Sequence, residues 1–562
     1  MVFRDIPYKR YTIEEGRSAF EKAEKTMKEA TSVHSVLAAK KIFDDAAIEY
    51  ATAVSLANCR FTLDTRNEFY TKEVEYYDQV SPLFEELSVK FNDLLLTTPF
   101  RKELELHINK RILQKAELSK KSFSPAVIED CQKENALVTE YSKLMAGMTF
   151  LWQGKEIPLS ALRGELENGD RDVRRECAIA IGKGLKKHEK ELDDLYDRLV
   201  KIRTIIAHKL GYKSFTELGY YRMGRLDYDA TMVKAFRDNV QKDLVPVVKE
   251  LKERIARELD IDRITFYDDA IYSGGPVPKP LLDAKGIFQA AEEMYDDMNP
   301  EIGAFMHRML EAEAFDVEAR EGKWGGGYCT TFPKYKQPFI LANFNGSCGD
   351  VDVITHEFGH ALAANFVFYG GDMDLDVGGM ETAECHSMSM ELLSWKYTEK
   401  FFGESANAYR KKHLLSSLSF IPYGVIVDEF QHEIYDHPGY TPEERKAVYR
   451  RLEEKYRPYM EFKDIPYIEE GTRWQYQMHI YETPFYYIDY CLAQTVALWF
   501  LVKSRENYQK ALDDYLTFLK TGISVCIFPE GTRNKSNDRL LPFKEGSLKE
   551  LSQKVLEIAE EL

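Results

Sequence analysis

No run of this sequence approaches the roughly 18 to 20 apolar residues needed to span a bilayer, so no membrane segment is expected. The opening stretch MVFRDIPYKRYTIEEG has no apolar core of the kind a secretory signal carries. Positive charge is in deficit: 76 Lys and Arg against 93 Asp and Glu leave a formal net charge of −17. Nucleic acid and anionic membrane are poor partners for such a chain, because both reward basic patches. The eight cysteines show no CxxC pair and no framework spacing, which suits a reducing, cytoplasmic setting. Internal repeats and low-complexity tracts are missing, and with 44% hydrophobic and 30% charged residues the composition is that of a folded globular protein.

What is present is mostly helix. From residue 14 to 120, apolar and charged positions alternate at helical spacing, as in IEEGRSAFEKAEKTMKEA and LFEELSVKFNDLLL, with few prolines or glycines. Long antiparallel helices are the expectation there. The pattern resumes near residue 172, and YSGGPVPKPLL at 272 to 282 is the clearest loop. Texture changes in GKWGGGYCTTFPKYKQPFILANFNGSCGDVDVITHEFGHALAANF, where YCTTF and PFILANF read as short strands and Asn345-Gly346 as a turn. Asp350 or Asp352 is placed to cap the helix that follows.

That helix carries His356-Glu357-Phe358-Gly359-His360. Two histidines four apart project from one helical face and can share a metal ion, with Glu357 on the adjoining face, placed to take a proton from a water. Histidine is scarce, at 12 of 562, which weighs against a chance pattern. A hydrolytic zinc site commonly takes a third protein ligand. The extended pattern HExxHxxGxxH fails here, because its later positions are Ala363 and Phe366. GGMETAECHSMSMELLSW, at 378 to 395, instead offers Glu381, Glu384, His386 and Glu391. Glu384 and Glu391 lie two turns apart on one face, which suits one ligand and one carboxylate orienting an imidazole. Further on, QMHIYETPFYYIDY gathers His479, Tyr481, Tyr486, Tyr487 and Tyr490, candidate donors to a developing oxyanion.

Taken in order, HEFGHALA, ETAECHSMSMELLSW, SFIPYGVIVDEFQHEIY and MHIYETPFYYIDYCLAQ resemble oligoendopeptidase F and Pz-peptidase, zinc oligopeptidases of the thimet oligopeptidase family. The resemblance runs from about residue 1 to 520. It implies one zinc ion held by His356, His360 and Glu384, with Glu357 as general base, and contacts to the tetrahedral intermediate from His479, Tyr486 and Tyr490. It implies a mainly α, two-lobed helical shell around a deep channel, with a small β-sheet beside the HExxH helix. The lobes would be an N-terminal helical lobe, 1–195, and a zinc catalytic lobe, 196–562. Short unfolded peptides would be the substrates. By the same analogy PFILANFN supplies a strand edge for an extended peptide, with Gly327-Tyr328 and Asn345-Gly346 suited either to close backbone approach or to ordinary hairpins.

Residues 522–546 depart from that family. FPEGTR with LLPFKEG resembles the phosphate-contacting block of lysophosphatidic acid acyltransferases, where Glu530, Gly531 and Arg533 would hold a glycerol phosphate. The partner motif of that family has a formal match only in His188 to Asp193, far upstream in a charged helical stretch. The tail then closes in a helix, SLKELSQKVLEIAEEL, with Ser547 and Glu550 at capping-box spacing. The expected function is therefore a cytoplasmic zinc endopeptidase for short peptides. A catalytically silent peptide-binding shell and an acyltransferase are the alternatives. The oligomeric state is not legible.

Overall fold

The computed structural model describes residues 1–275, 277–369, 379–521 and 547–562. The atypical segment 522–546, with Glu530, Gly531, Arg533 and Cys526, therefore lies outside the described residues, as does the side chain of Ser547. Helix accounts for 73% of the structure and strand for 5%, which makes the fold mainly α. The N-terminal helices Ile13–Lys28, Val33–Leu63, Glu68–Thr97 and Lys110–Ser122 follow the predicted periodicity. Each opens on a polar residue whose side chain accepts a first-turn amide: Thr12, Ser32, Asn67 and Asn109. Their apolar faces build a separate cluster from Ile13 to Leu113, while the main core draws on residues from Ile6 to Ala559.

The sheet beside the HExxH helix has three strands, in the order Phe315–Glu318, Gln337–Phe344, Tyr328–Phe332. The middle strand pairs parallel with the first and antiparallel with the last. PFILANF is therefore the buried centre of the sheet, with Phe339 to Ala342 no more than 1% exposed. This corrects the expectation that it offers a free edge. The strands at the sheet's two edges, among the described residues, are Phe315–Glu318 and Tyr328–Phe332.

A turn at Asn345-Gly346 leads into the site helix, Gly349–Tyr369. Asp350 does not cap it as expected; its carboxylate accepts the amides of Asn345 and Gly346 at 2.9 and 2.8 Å and so closes the preceding turn. Asp352 instead accepts the Tyr409 hydroxyl. Three more helices complete the surround: the glutamate helix Met380–Leu393, the core helix Ala406–Asp436 and the tyrosine helix Tyr487–Glu506. The chain closes in the expected helix, Ser547–Glu561.

Candidate metal centre

One face of the site helix is anchored in the core: Phe358, Ala361 and Leu362 are fully buried, and Phe358 stacks on Tyr295 with centroids 3.9 Å apart. The other face meets the glutamate helix at Gly359. A Cβ on Gly359 would lie 2.7 Å from the His386 carbonyl oxygen and from Ser387 Cα, so only glycine lets the two backbones come this close. That contact sets Glu384 against the histidines. Its Oε2 lies 3.3 Å from His356 Nε2 and 3.4 Å from His360 Nε2. Among the described residues, His356, His360 and Glu384 are the group whose ligating atoms gather closely enough to hold a metal ion. Ligands about 2.1 Å from a tetrahedral ion sit roughly 3.4 Å from one another, so the donor set and its spacing fit zinc.

Both oxygens of Glu384 are held. Ser387 Oγ donates to Oε2 at 2.9 Å, and the Tyr486 hydroxyl donates to Oε1. Burial alone would raise the Glu384 carboxyl, but the two imidazoles outweigh it and hold it well below the usual range. Glu391 lies further along the same helix and bridges two rings. Its Oε1 is 2.6 Å from His356 Nδ1 and its Oε2 is 2.9 Å from His413 Nε2. The Trp395 indole donates to His413 Nδ1 at 3.0 Å, so the proton of that ring sits on Nε2 and points at Glu391. Burial opposes charge on Glu391 too, yet His356 and His413 bring it down to about 2. His356 is thereby fixed with Nδ1 on a carboxylate and Nε2 turned to the cluster.

Glu357 is buried, 7% exposed, and burial raises its carboxyl against the pull of His356 and His360. Its Oε1 lies 3.9 Å from where a Cβ on Gly327 would be, so the residue just before the free strand borders this carboxylate. Across the cluster, the short helix Met478–Glu482 carries His479. The Gln477 amide, fixed by the Tyr423 hydroxyl at 2.8 Å, donates to His479 Nδ1 at 2.9 Å. This leaves the ring proton on Nε2, which is 3.4 Å from the Tyr490 hydroxyl. Burial, only partly offset by Glu384, lowers His479 to about 4, so it is a neutral donor near pH 7. The Tyr486 and Tyr490 rings lie 4.9 Å apart on the same side.

Other candidates are turned elsewhere. His386 packs on Phe518, and Tyr481 stacks on Tyr141 while its hydroxyl donates to the Leu192 carbonyl at 3.1 Å. Glu381 does not reach the histidines and sits in the first turn of its helix. His188 pairs with Glu191, whereas Asp193 accepts from Gln475, so the formal acyltransferase pair does not share a site. Sequence reasoning missed Gln477, Trp395, His413 and Gly359. Gln477, Gly359 and Trp395 lie inside the motif stretches themselves, and His413 lies outside them.

Two family descriptions match the chain: the peptidase M3 N-terminal domain over residues 3–123 and peptidase family M3 over 300–527. Among solved structures, PZ peptidase A with an inhibitor aligns over 100% of this chain and 99% of its own, at 38% identity and a TM-score of 0.95. A structure provisionally assigned to oligoendopeptidase F from Bacillus anthracis aligns over 100% and 98%, at 35% identity and 0.90. Oligopeptidase PepF of Bacillus subtilis is 24% identical over 457 residues, covering 74% of this chain. The match spans 65% of that relative's length, just under two thirds. On fold, full-length similarity and family match together, the chain belongs to peptidase family M3, among the relatives of oligoendopeptidase F and PZ peptidase.

Proposed function

We propose that the chain is a zinc-dependent endopeptidase of short, unfolded peptides, with His356, His360 and Glu384 as the metal-holding residues. The observation that carries this reading is the spacing of 3.3 and 3.4 Å between one Glu384 oxygen and both imidazoles, in a site that also contains a buried carboxylate and a neutral histidine. Zinc, when bound, supplies a Lewis acid that polarises the scissile carbonyl and eases deprotonation of a water. The rest belongs to the chain. Glu357, raised by burial, accepts the proton of the attacking water and hands it to the leaving amine. His479 Nε2–H and the Tyr490 hydroxyl donate to the oxyanion, the Tyr486 hydroxyl joins them when it releases Glu384 Oε1, and Gln477 holds His479 in the donating tautomer. The open side of Tyr328–Phe332 suits pairing with an extended peptide through backbone hydrogen bonds, which gives affinity without demanding a particular sequence.

Glu357→Gln provides the test. Hydrolysis of a quenched fluorescent peptide should fall by about 10²- to 10⁴-fold while metal content stays unchanged. Retention of most of the activity would remove Glu357 from the reaction.

A further inference from the structure

Beside the metal centre lies a cavity of about 710 Å³, bounded by the helices Glu68–Thr97 and Ile128–Gly147 on one side and by Trp324, Tyr328 and Glu482 on another. It adjoins the site along two segments. Gly327 borders Glu357 and the next residue, Tyr328, lines the cavity. His479 belongs to the donor cluster and Glu482, one turn further along the same short helix, lines the cavity.

Its charge is one-sided. Asp78, Glu85, Glu134 and Glu482 face it, and Arg222 is the cationic side chain in its lining. Arg222 is already committed to Glu134, at 2.7 Å, and Arg203 reinforces that pair from behind, also at 2.7 Å. Asp78, Glu85 and Glu482 have no lysine or arginine within ion-pair distance among the described residues. Two are held by hydroxyls three residues apart on one helix: Thr139 donates to Asp78 and Ser142 to Glu482, each at 2.7 Å. Those bonds orient the carboxyls without neutralising them. Glu85 has neither a hydrogen-bond nor an ion-pair partner and is half-buried. Burial pushes Asp78 up to about 6 and Glu482 up to about 7, and raises Glu85 as well. Three half-buried acids without a direct ion-pair partner give the cavity a negative potential that a cationic ligand would offset. Trp324 and Tyr328 add aromatic faces that favour a cation on an apolar stem.

We propose that this cavity is a substrate subsite for a cationic group of the peptide, an ammonium or a guanidinium, recognised by Asp78, Glu85 and Glu482. The inference rests on the peptidase reading above and names the substrate class it favours: peptides basic on the side of the scissile bond that enters the cavity. Specificity would then be shared between the N-terminal helix Glu68–Thr97 and the short helix Met478–Glu482.

The test uses the full, metal-loaded chain and quenched peptides that differ at one position, lysine or norleucine, scanned along the peptide. A parallel set is N-acetylated, so that a side chain and a free amino terminus are told apart. The expected result is a preference of about tenfold or more in kcat/KM for the charged form, carried mainly by KM, equivalent to one partly desolvated ion pair. With Asp78→Asn, Glu85→Gln and Glu482→Gln combined, the ratio between the paired peptides should fall towards one. Hydrolysis of the norleucine peptide reports that the variant is folded and loaded. Norleucine peptides cleaved as well as lysine peptides, with acetylation also without effect, would overturn the subsite and leave the peptidase intact. A preference that survives the triple variant would overturn it too. Failure of the parent chain to cleave any peptide would instead sink the peptidase reading on which the subsite depends.

Discussion

Replacing Gly359 by alanine tests whether the approach of two helices sets the metal centre. The new Cβ would stand 2.7 Å from both the His386 carbonyl oxygen and Ser387 Cα, atoms of the backbone that cannot rotate away. Ordinary carbon contacts begin near 3.4 Å, so the helices must part by roughly 0.7 Å or distort locally, at about 1–3 kcal/mol. Glu384 is carried on the displaced helix, and its distances of 3.3 and 3.4 Å to the histidines would open towards about 4 Å. Metal–ligand bonds tolerate only about ±0.2 Å, so we expect metal affinity to fall about 10- to 100-fold, or about 1.4–2.7 kcal/mol. Competition with a chromogenic chelator measures this directly. Gly147→Ala is the control, because nothing lies within 4 Å of a Cβ there. Unchanged metal affinity in Gly359→Ala, beside an unchanged control, would refute the argument that this contact positions Glu384.

Further outcomes concern the residues around the metal centre and one buried ion-pair cluster. Glu391→Ala leaves His356 Nδ1 and His413 Nε2 without their shared acceptor, so metal affinity should drop about 10- to 100-fold in the same competition assay. His479→Ala should lower kcat by about 10²- to 10³-fold with metal still bound. Gln477→Leu should act in the same direction by about tenfold, through loss of the ring orientation, and pre-steady-state kinetics would separate both effects from binding. Glu134 is buried between Arg203 and Arg222; burial would raise its carboxyl, but the two guanidiniums outweigh that and hold it at about 2. Its unfolded value is about 4.3, so its contribution is complete above that pH and is lost as pH falls towards 2. Urea midpoints should fall through that window, and Glu134→Ala should cost about 3–5 kcal/mol at neutral pH by stranding both guanidiniums.

Much of the site was legible because helical periodicity converts spacing into direction. His356 and His360 had to share a face, and Glu384 and Glu391 had to share another, before any partner was known. The choice among Glu381, Glu384, His386 and Glu391 was not legible from spacing, since it depends on where the glutamate helix meets Gly359. The edge strand was misread for a physical reason. PFILANF is apolar at nearly every position, the mark of a strand covered on both faces, whereas the more mixed YCTTF lies at an edge and is half-buried. Asp350 was read as a helix cap from its position, but a carboxylate beside an Asn-Gly turn can equally bond back to that turn, and here it does. His413 was invisible because it reaches Glu391 from the core helix, and Trp395, though only four residues past Glu391, acts on that distant histidine, which no local pattern encodes. The cap at Ser547 and the departures at 522–546 lie outside the described residues.

The most direct measurement is hydrolysis of a short quenched peptide by the purified chain, followed through removal and return of metal with the bound ion quantified at each stage. We predict one metal ion per chain, loss of hydrolysis in step with its removal, and recovery on stoichiometric zinc. Full hydrolysis by metal-free protein, or by a chain in which Glu384→Ala has abolished metal binding, would contradict the account.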